Sequence, residues 1–318
     1  MITFEQIFPE LQPKLKSLDD QRIELLRLRR KTLLIIVGII LPLTILALVI
    51  SRHPLALFIG IGVGGIVYST MYEKHRRKFK NEVKDKLILQ IVNSMNMGLT
   101  YRRSSFISVN EFRKCGIYQQ SIDKYWGEDF FEGKVGETDV LFSELTAQSK
   151  KTVRDSKGNV HTHYVTFFQG LFVIADFHKN FSGRTLVLPD NSEQFLGMIG
   201  KKLQSMNFTR DELVYMENPE FEKKFVVYST DQVEARYILS LTMLERIMML
   251  SEKLDSRISL SFADNKVYIA IPQSKDFLEH NLNQSVLDSE VIRNFYDEIV
   301  TCLEIVDDLN LNIRIWGK

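Results

Sequence analysis

Between Leu33 and Tyr72 the mixing of apolar and polar positions stops. Leu33–Ile50 reads LLIIVGIILPLTILALVI and Leu55–Tyr72 reads LALFIGIGVGGIVYSTMY, both without a charge, with only Ser51, Arg52, His53 and Pro54 between them. As a helix, each run of about 18 residues spans about 27 Å, close to the hydrocarbon thickness of a bilayer. Two such runs joined by a short turn predict a transmembrane helical hairpin over residues 33–72. A signal peptide does not fit, because the apolar stretch starts after some 32 residues, lacks a small-residue cleavage pattern and is followed at once by a second run. A buried hairpin of a water-soluble protein is the other source of such a pattern, but uninterrupted apolar runs of this length are unusual away from membranes. Pro42 is tolerable in a span, where neighbouring groups satisfy the freed carbonyl.

On either side of the runs, periodicity returns. Residues 1–32 form an N-terminal segment in which Leu15, Leu18, Ile23, Leu25, Leu26 and Leu28 recur among charges, predicting a helix over 14–31 with an irregular start at Pro9 and Pro13. Residues 73–100 hold a charged juxtamembrane helix continuing the second run, with Leu87, Ile88, Ile91, Val92 and Met95 at helical spacing. Residues 101–318 read as an α+β domain. Ser108-Val-Asn-Glu111 is a capping box for a short helix stopped by Gly116. From about Phe130 the pattern shortens to strands: 134–135, 140–145, 151–153, 160–168, 171–177 and 185–188, with a hairpin turn at Asp155-Ser-Lys-Gly158 and breaks at Gly170 and Ser182-Gly183. That spacing predicts an antiparallel meander. Ser192–Met206 is amphipathic and helical, and any soft boundary falls near 206–210. Strands at 213–216 and 225–228, a long helix over 231–254, a hairpin of 257–262 and 266–271 around Asp264-Asn265, a helix over 289–309 and a closing strand over 311–316 complete the α+β pattern.

Charge adds sidedness. Arg27, Arg29, Arg30 and Lys31 precede the first run, Lys74, Arg76, Arg77, Lys78 and Lys80 follow the second, and the turn between holds one fixed cation, Arg52. Lys and Arg near span ends stay on the cytoplasmic side, so both termini are expected inside, with Tyr68 and Tyr72 at the inner headgroup layer. The 318-residue chain has net charge +1, yet residues 81–318 carry 34 acidic and 28 basic side chains, a net of −6. A nucleic-acid reader needs a basic face on its folded domain, so nucleic acid is not an expected partner. The basic clusters instead suit anionic lipid headgroups. Cys115 and Cys302 follow no paired spacing and are expected as buried thiols.

Several segments carry a family likeness. Phe168-Gln-Gly-Leu-Phe-Val-Ile-Ala-Asp-Phe-His-Lys-Asn-Phe181, Gly183-Arg-Thr-Leu-Val-Leu-Pro-Asp190, Phe225-Val-Val-Tyr-Ser-Thr-Asp-Gln-Val-Glu-Ala-Arg-Tyr-Ile-Leu239, Phe262-Ala-Asp-Asn-Lys-Val-Tyr-Ile-Ala-Ile271 and Leu309-Asn-Leu-Asn-Ile-Arg-Ile-Trp316 together resemble the bacterial membrane proteins grouped as domain of unknown function 3137. The resemblance covers most of residues 100–318. It implies a bacterial inner-membrane protein with a cytoplasmic domain and no assigned activity, and lends no catalytic residue; the hairpin makes the expected protein multi-pass, and no cofactor is expected.

Candidate chemistry is sparse. Asp176, His178, Lys179 and Arg184 crowd the end of one strand and the next turn, where an acid, an imidazole and two cations can bind an anion, although turn chemistry and surface ion pairs give the same pattern. His161 and His163 share one strand face, a spacing that holds a metal between two imidazoles. No motif supplies a third and fourth ligand beyond His178, so no metal is assigned. Asp231, Glu234 and Arg236 follow Ser229-Thr230 and read as an ordinary helix start. Tyr125, Trp126, Phe130 and Phe131 read as core against the meander. Gly60 and Gly64 lie on one helix face and allow close packing of the first span or of a second copy. Walker loops, zinc helices, nucleophile elbows and paired CxxC motifs are absent. The sequence therefore reads as a membrane protein presenting a cytoplasmic interaction or ligand-sensing domain, with no catalytic residue assigned. A membrane-tethered enzyme acting on an anionic or lipid-headgroup substrate, and a subunit of a membrane complex or homo-oligomer, are the alternatives.

Overall fold

The computed structural model describes residues 3–95, 97–154, 159–177, 182–190, 212–274, 277–309 and 311. The chain divides into two compact units: the described residues of Met1–Asn96 with Leu278–Asp297, and those of Met97–Phe277 with Glu298–Lys318.

The first unit is built on two long helices, α1 (Phe4–Ser51) and α2 (Leu55–Met95). Both are long and apolar enough to cross a membrane. α1 starts ten residues earlier than the prolines suggested. The Gln6 side-chain oxygen accepts from the Thr3 amide (3.0 Å), and Phe4, Ile7, Leu11, Leu15 and Leu18 form a buried stripe that outweighs Pro9 and Pro13. Pro42 lacks the amide that would bond four residues back. The turn before it, Ile36–Ile40, is wound as a π-helix, with the Leu41 amide donating to the Ile36 carbonyl. At the hairpin tip Arg52 takes a left-handed conformation (φ 51°), and its amide closes on the Leu48 carbonyl at 2.9 Å. Antiparallel to α1, α2 presents Phe79, Val83, Leu87, Ile88, Ile91 and Val92 as its buried stripe. Between the apolar runs the approach is close: a Cβ on Gly60 would collide with the Thr44 side chain, whereas one on Gly62 would meet nothing within 4 Å.

A third strand of chain from far along the sequence closes on this pair. Asp19, 8 % exposed, accepts from Arg22 Nε (2.8 Å), Ser285 Oγ (2.7 Å) and the Val286 amide (3.2 Å). Arg22 also donates to the Leu282 carbonyl (3.4 Å). Lys80 and Lys84 bridge to Glu279 at 2.5 and 3.4 Å, and Arg293 pairs with Glu5 (2.8 Å) while lying 4.2 Å from the Phe4 ring centroid. Burial works against the Asp19 charge, but the bonds from Arg22 and Ser285 outweigh it and hold the carboxyl below its ordinary range. His280 sits in this clasp with both ring nitrogens buried and without a hydrogen-bond partner among the described residues.

Among its described residues the second unit holds a nine-stranded antiparallel sheet in the order β1-β2-β3-β4-β9-β8-β5-β7-β6. Its strands are β1 (Thr100–Arg102), β2 (Lys124–Val135), β3 (Thr138–Arg154), β4 (Val160–Asp176), β5 (Thr185–Pro189), β6 (Glu212–Val214), β7 (Phe225–Ser229), β8 (Ser259–Ala263) and β9 (Lys266–Pro272). The helices are α3 (Val109–Lys114), α4 (Pro219–Glu222), α5 (Gln232–Ile238), α6 (Leu241–Lys253) and α7 (Ser289–Asp308), the last contributing to both units. The α+β reading and the antiparallel meander β2-β3-β4 hold. Gly170 does not end a strand, however. It bends β4 at φ 146°, where its backbone lies against Ile271 and Gln273 as β9 joins, leaving β4 continuous over 17 residues. Asp264 and Asn265 both take positive φ (51° and 62°), the backbone of a two-residue hairpin turn. The expected 231–254 helix breaks at Leu239, and Ser240 caps α6 by accepting from the Met243 amide (3.4 Å). The 155–158 turn, the 192–206 helix, the 206–210 boundary and all of the closing strand beyond Leu311 lie outside the described residues.

Two outcomes follow. Gly60→Leu should lower the unfolding free energy in detergent by about 1–3 kcal/mol through overpacking against Thr44, with Gly62→Leu close to neutral. Burial, reinforced by the nearby Arg22 charge, pushes the His280 pKa below its ordinary value. The clasp is then fully stable above the unfolded-state pKa of about 6.5 and loses stability as pH falls. Hydrogen-exchange protection at Val286 and Leu287 should drop between about pH 7.5 and about pH 5.5, and His280→Leu should flatten that dependence.

Candidate functional site

Of the residues expected to crowd the end of one strand and the next turn, the two described ones, Asp176 and Arg184, stand apart along the sheet. Asp176 ends β4 opposite Lys266 of β9, and Arg184 leads into β5, whose Thr185 faces Phe262 of β8. β9 and β8 lie between them, a separation of three strand spacings, about 14 Å. The Arg184 guanidinium lies over Gly116, where a Cβ would strike it. Its backbone is pinned by Thr230, which donates its amide to the Arg184 carbonyl (3.1 Å) and accepts the Arg184 amide on Oγ1 (2.9 Å). His178 and Lys179 lie outside the described residues.

Among the described residues at this end, the loop donors an anion would use are taken by one of the protein's own carboxylates. The Ser182 and Gly183 amides and the Ser182 hydroxyl all donate to the Glu234 carboxylate at 2.9, 3.0 and 3.2 Å. Two successive amides aimed at one negative group form an anion nest, here filled internally. Glu234 thus serves the loop rather than its helix start. The cap of α5 is Asp231, not Ser229 or Thr230, accepting from the Val233 and Glu234 amides (2.8 and 3.0 Å). Glu111 binds Lys114 (2.5 Å) and Lys266 (3.4 Å), and its carboxyl is held below the usual range chiefly by the Lys114 hydrogen bond.

Other sequence candidates resolve simply. His161 and His163 share a face of β4 and stand opposite Val153 and Lys151 of β3. A lysine opposite His163 is a poor neighbour for a cation, and the metal-capable group among the described residues lies elsewhere. Tyr125 donates to the Ile107 carbonyl (2.7 Å), and Phe131 stacks on Phe142 with centroids 4.5 Å apart, so both serve the core; Trp126 is 45 % exposed and does not. Gly60 and Gly64 face Thr44 and Ile36 of the first run. Antiparallel pairing brings Arg27, Arg29, Arg30 and Lys31 of α1 to the same end of the hairpin as Lys74, Arg76, Arg77 and Lys78 of α2. Glu73 pairs with Arg76 (2.7 Å) and Arg77 (3.2 Å) there.

Two features have no sequence motif. Glu128, Asp129 and Glu144 bring carboxylate oxygens within 4.8 Å of one another, a spacing that oxygen-ligated cations use. The bulge in β2 creates it by turning Asp129 to φ 58°. Tyr101 donates to Asp129 (2.7 Å) and the Phe277 amide to Glu144 (3.1 Å), so the cluster also ties β1 and the 277 loop to the sheet. Consecutive acids inside an otherwise half-apolar strand are the only local hint, since Glu144 arrives from β3. At the β6 edge a cavity of about 130 Å³ is lined by Leu213, Tyr215, Met216, Phe221, Phe225 and Val227, and its carboxylate, Glu222, accepts from the Met216 amide (2.7 Å).

These observations define the class: two helices able to cross a membrane, joined to an antiparallel α+β domain. The family described as "Protein of unknown function (DUF3137)" matches residues 166–311, the family read from the sequence over a narrower stretch than 100–318. No curated protein matches the chain. Among solved structures, the crystal structure of the mycobacterial trehalose monomycolate transport factor A, TtfA, aligns at 11 % identity over 69 % of this chain and 96 % of that one. Its TM-score of 0.35 is too low to carry an argument about fold or function.

Burial pushes the Cys115 thiol up to about 12 and the Cys302 thiol well above its ordinary value. Neither should react with a thiol reagent in the folded chain near neutral pH, and both should react once it is denatured. Immediate modification of the native protein would mark a reactive cysteine that the burial contradicts.

Proposed function

We propose that this chain is a membrane-anchored protein whose hairpin crosses the bacterial inner membrane with both termini cytoplasmic, presenting the nine-stranded domain as an interaction or ligand-sensing module. The observation that carries the anchor is exposure. In the most apolar 18-residue window of α1 nothing is buried, and in that of α2 only 6 % is. A core helix of a water-soluble protein would hide those positions. Here Leu34, Ile50 and Phe58 are 71, 74 and 68 % exposed. The two basic clusters at one end of the hairpin support the sidedness.

Binding is favoured over catalysis by the same residues that suggested chemistry. The loop amides near Arg184 are filled by Glu234, Asp176 stands about 14 Å away along the sheet, and both thiols are buried and protonated at neutral pH. Gly60 and Gly64 pack within the hairpin, which removes them as support for a contact with a second subunit. The full chain should stay with membranes through alkaline carbonate extraction. A fluorescent reporter at the C-terminus should light up, and an alkaline phosphatase fusion there should be inactive while one placed after Arg52 is active. Release by carbonate, or the opposite reporter pattern, overturns the reading.

A further inference from the structure

β3 and β4 outgrow their sheet. Pairing with β2 ends at Lys124↔Gln148, and β9 joins β4 only from Gly170 onward. Six further rungs, Ser149↔Val165 through Arg154↔Val160, continue as a two-stranded ribbon paired with no other strand among the described residues. At about 3.4 Å per residue the ribbon runs about 20 Å past the last β2 pair.

The ribbon's composition departs from the rest of the domain. It carries Lys150, Lys151 and Arg154 and no acid among its described residues, in a region whose net charge is −6 over residues 81–318. Lys124 adds a fourth cation, its ammonium 3.8 Å from the Tyr164 ring centroid. Between the cations stand exposed apolar groups: Val153 (53 %), Val160 (57 %) and Tyr164 (43 %). Lysines alone would serve to blunt a bare strand edge against self-pairing. Two exposed valines and a tyrosine work against that purpose, since they make the ribbon stickier. Cations interleaved with aliphatic and aromatic groups match the headgroup layer of an anionic bilayer, where lysine and arginine meet phosphate and small apolar groups enter the acyl boundary.

We propose that this ribbon, residues 149–154 with 160–165, is an arm that docks on an anionic phospholipid surface. The inference rests on the membrane-anchor reading, because the hairpin supplies the bilayer at high effective concentration and a modest contact then suffices. Nucleic acid is disfavoured by the acidic remainder of the domain, which repels a long polyanion beyond the arm.

The test uses the full chain carrying Val153→Cys, labelled with a polarity-sensitive dye and reconstituted into vesicles. The buried Cys115 and Cys302 leave the new thiol as the reactive one. In vesicles of phosphatidylcholine mixed with phosphatidylglycerol the emission should shift to the blue, and high salt should reverse it. In phosphatidylcholine alone no shift is expected. Each of Lys150→Gln, Lys151→Gln and Arg154→Gln should lower the ratio of docked to undocked arm about fivefold, and the triple variant should abolish the shift while keeping the circular dichroism of the parent. Equal emission in both lipids, or a shift surviving in the triple variant, overturns the proposal. So does an equal response to added duplex DNA or polyglutamate, which would make the arm a general polyanion or acidic-protein contact. Carbonate extraction of the same vesicles separates the two readings: a retained chain with an unresponsive dye refutes the arm, and a released chain refutes the anchor.

Discussion

Seventeen large apolar side chains between Leu33 and Ile66 are exposed on the protein's own surface. At roughly 1.5–3 kcal/mol for each side chain fully transferred from water, leaving them wet forgoes on the order of 20 kcal/mol. That is comparable with the whole net stability of a folded domain, about 5–15 kcal/mol. That exposure is what the proposed membrane anchor accounts for, since a second apolar phase would cover the hairpin. Its internal features serve the same end. A π-turn absorbs the amide missing at Pro42, and Thr44 and Thr70 return their hydroxyls to the carbonyls of Ile40 (2.7 Å) and Ile66 (2.8 Å), which leaves few polar groups facing outward.

Below the apolar runs the helix pair depends on different forces. The stripes led by Leu11, Leu15 and Leu18 on α1 and by Leu87, Ile88 and Ile91 on α2 are fully buried, but two helices alone have another flank to cover. The 278–297 segment covers it, and its attachment is polar and specific. Asp19 receives three hydrogen bonds, and Lys84, 4 % exposed, has its charge answered by Glu279. Removing one member of such a buried set strands the others, so the clasp is selective for this segment. It joins residues 195 to 267 positions apart in sequence. The helix α7 that follows gives its first turns to this unit and its last to the other, so the clasp and the sheet domain share a covalent element.

How much was legible in the sequence follows from how local each signal is. The apolar runs, the Ser108 cap, the Asp264-Asn265 turn and the amphipathic helix of 289–308 are each written within a few residues, and each is present. Elements fixed by distant partners were misread. Gly170 resembles a strand break until β9 is seen to press against it. Pro9 and Pro13 resemble a boundary until the stripe from Phe4 to Leu18 is seen to be covered. The 231–254 run has unbroken helical composition, yet it divides at Leu239 because Ser240 caps a second helix. The separation of Asp176 from Arg184 was hidden for the same reason. Asp176 and Arg184 are near in sequence, and β9 and β8, drawn from about 80 residues later, insert between their strands. Glu234 looks like a helix-start acid and is the internal anion of a loop formed 50 residues upstream.

The distribution of charge then links anchor and domain. Cations concentrate beside the apolar runs and on the outgrown ribbon, while the remainder of residues 81–318 is acidic. A domain that adhered to an anionic bilayer over its whole surface would have no face left for another partner. An acidic body keeps off the lipid except where lysine and arginine are placed, and electrostatic attraction fades within about 8–10 Å at physiological salt. On the proposed reading, such a division would hold most of the sheet domain free in the aqueous phase while the ribbon tethers it at one site. That is the arrangement an interaction module needs and one that a catalyst gains little from unless its substrate is the membrane itself. Under the proposed reading, the filled nest at Ser182-Gly183 and the buried thiols add no group for such a substrate among the described residues, which is why recognition is proposed.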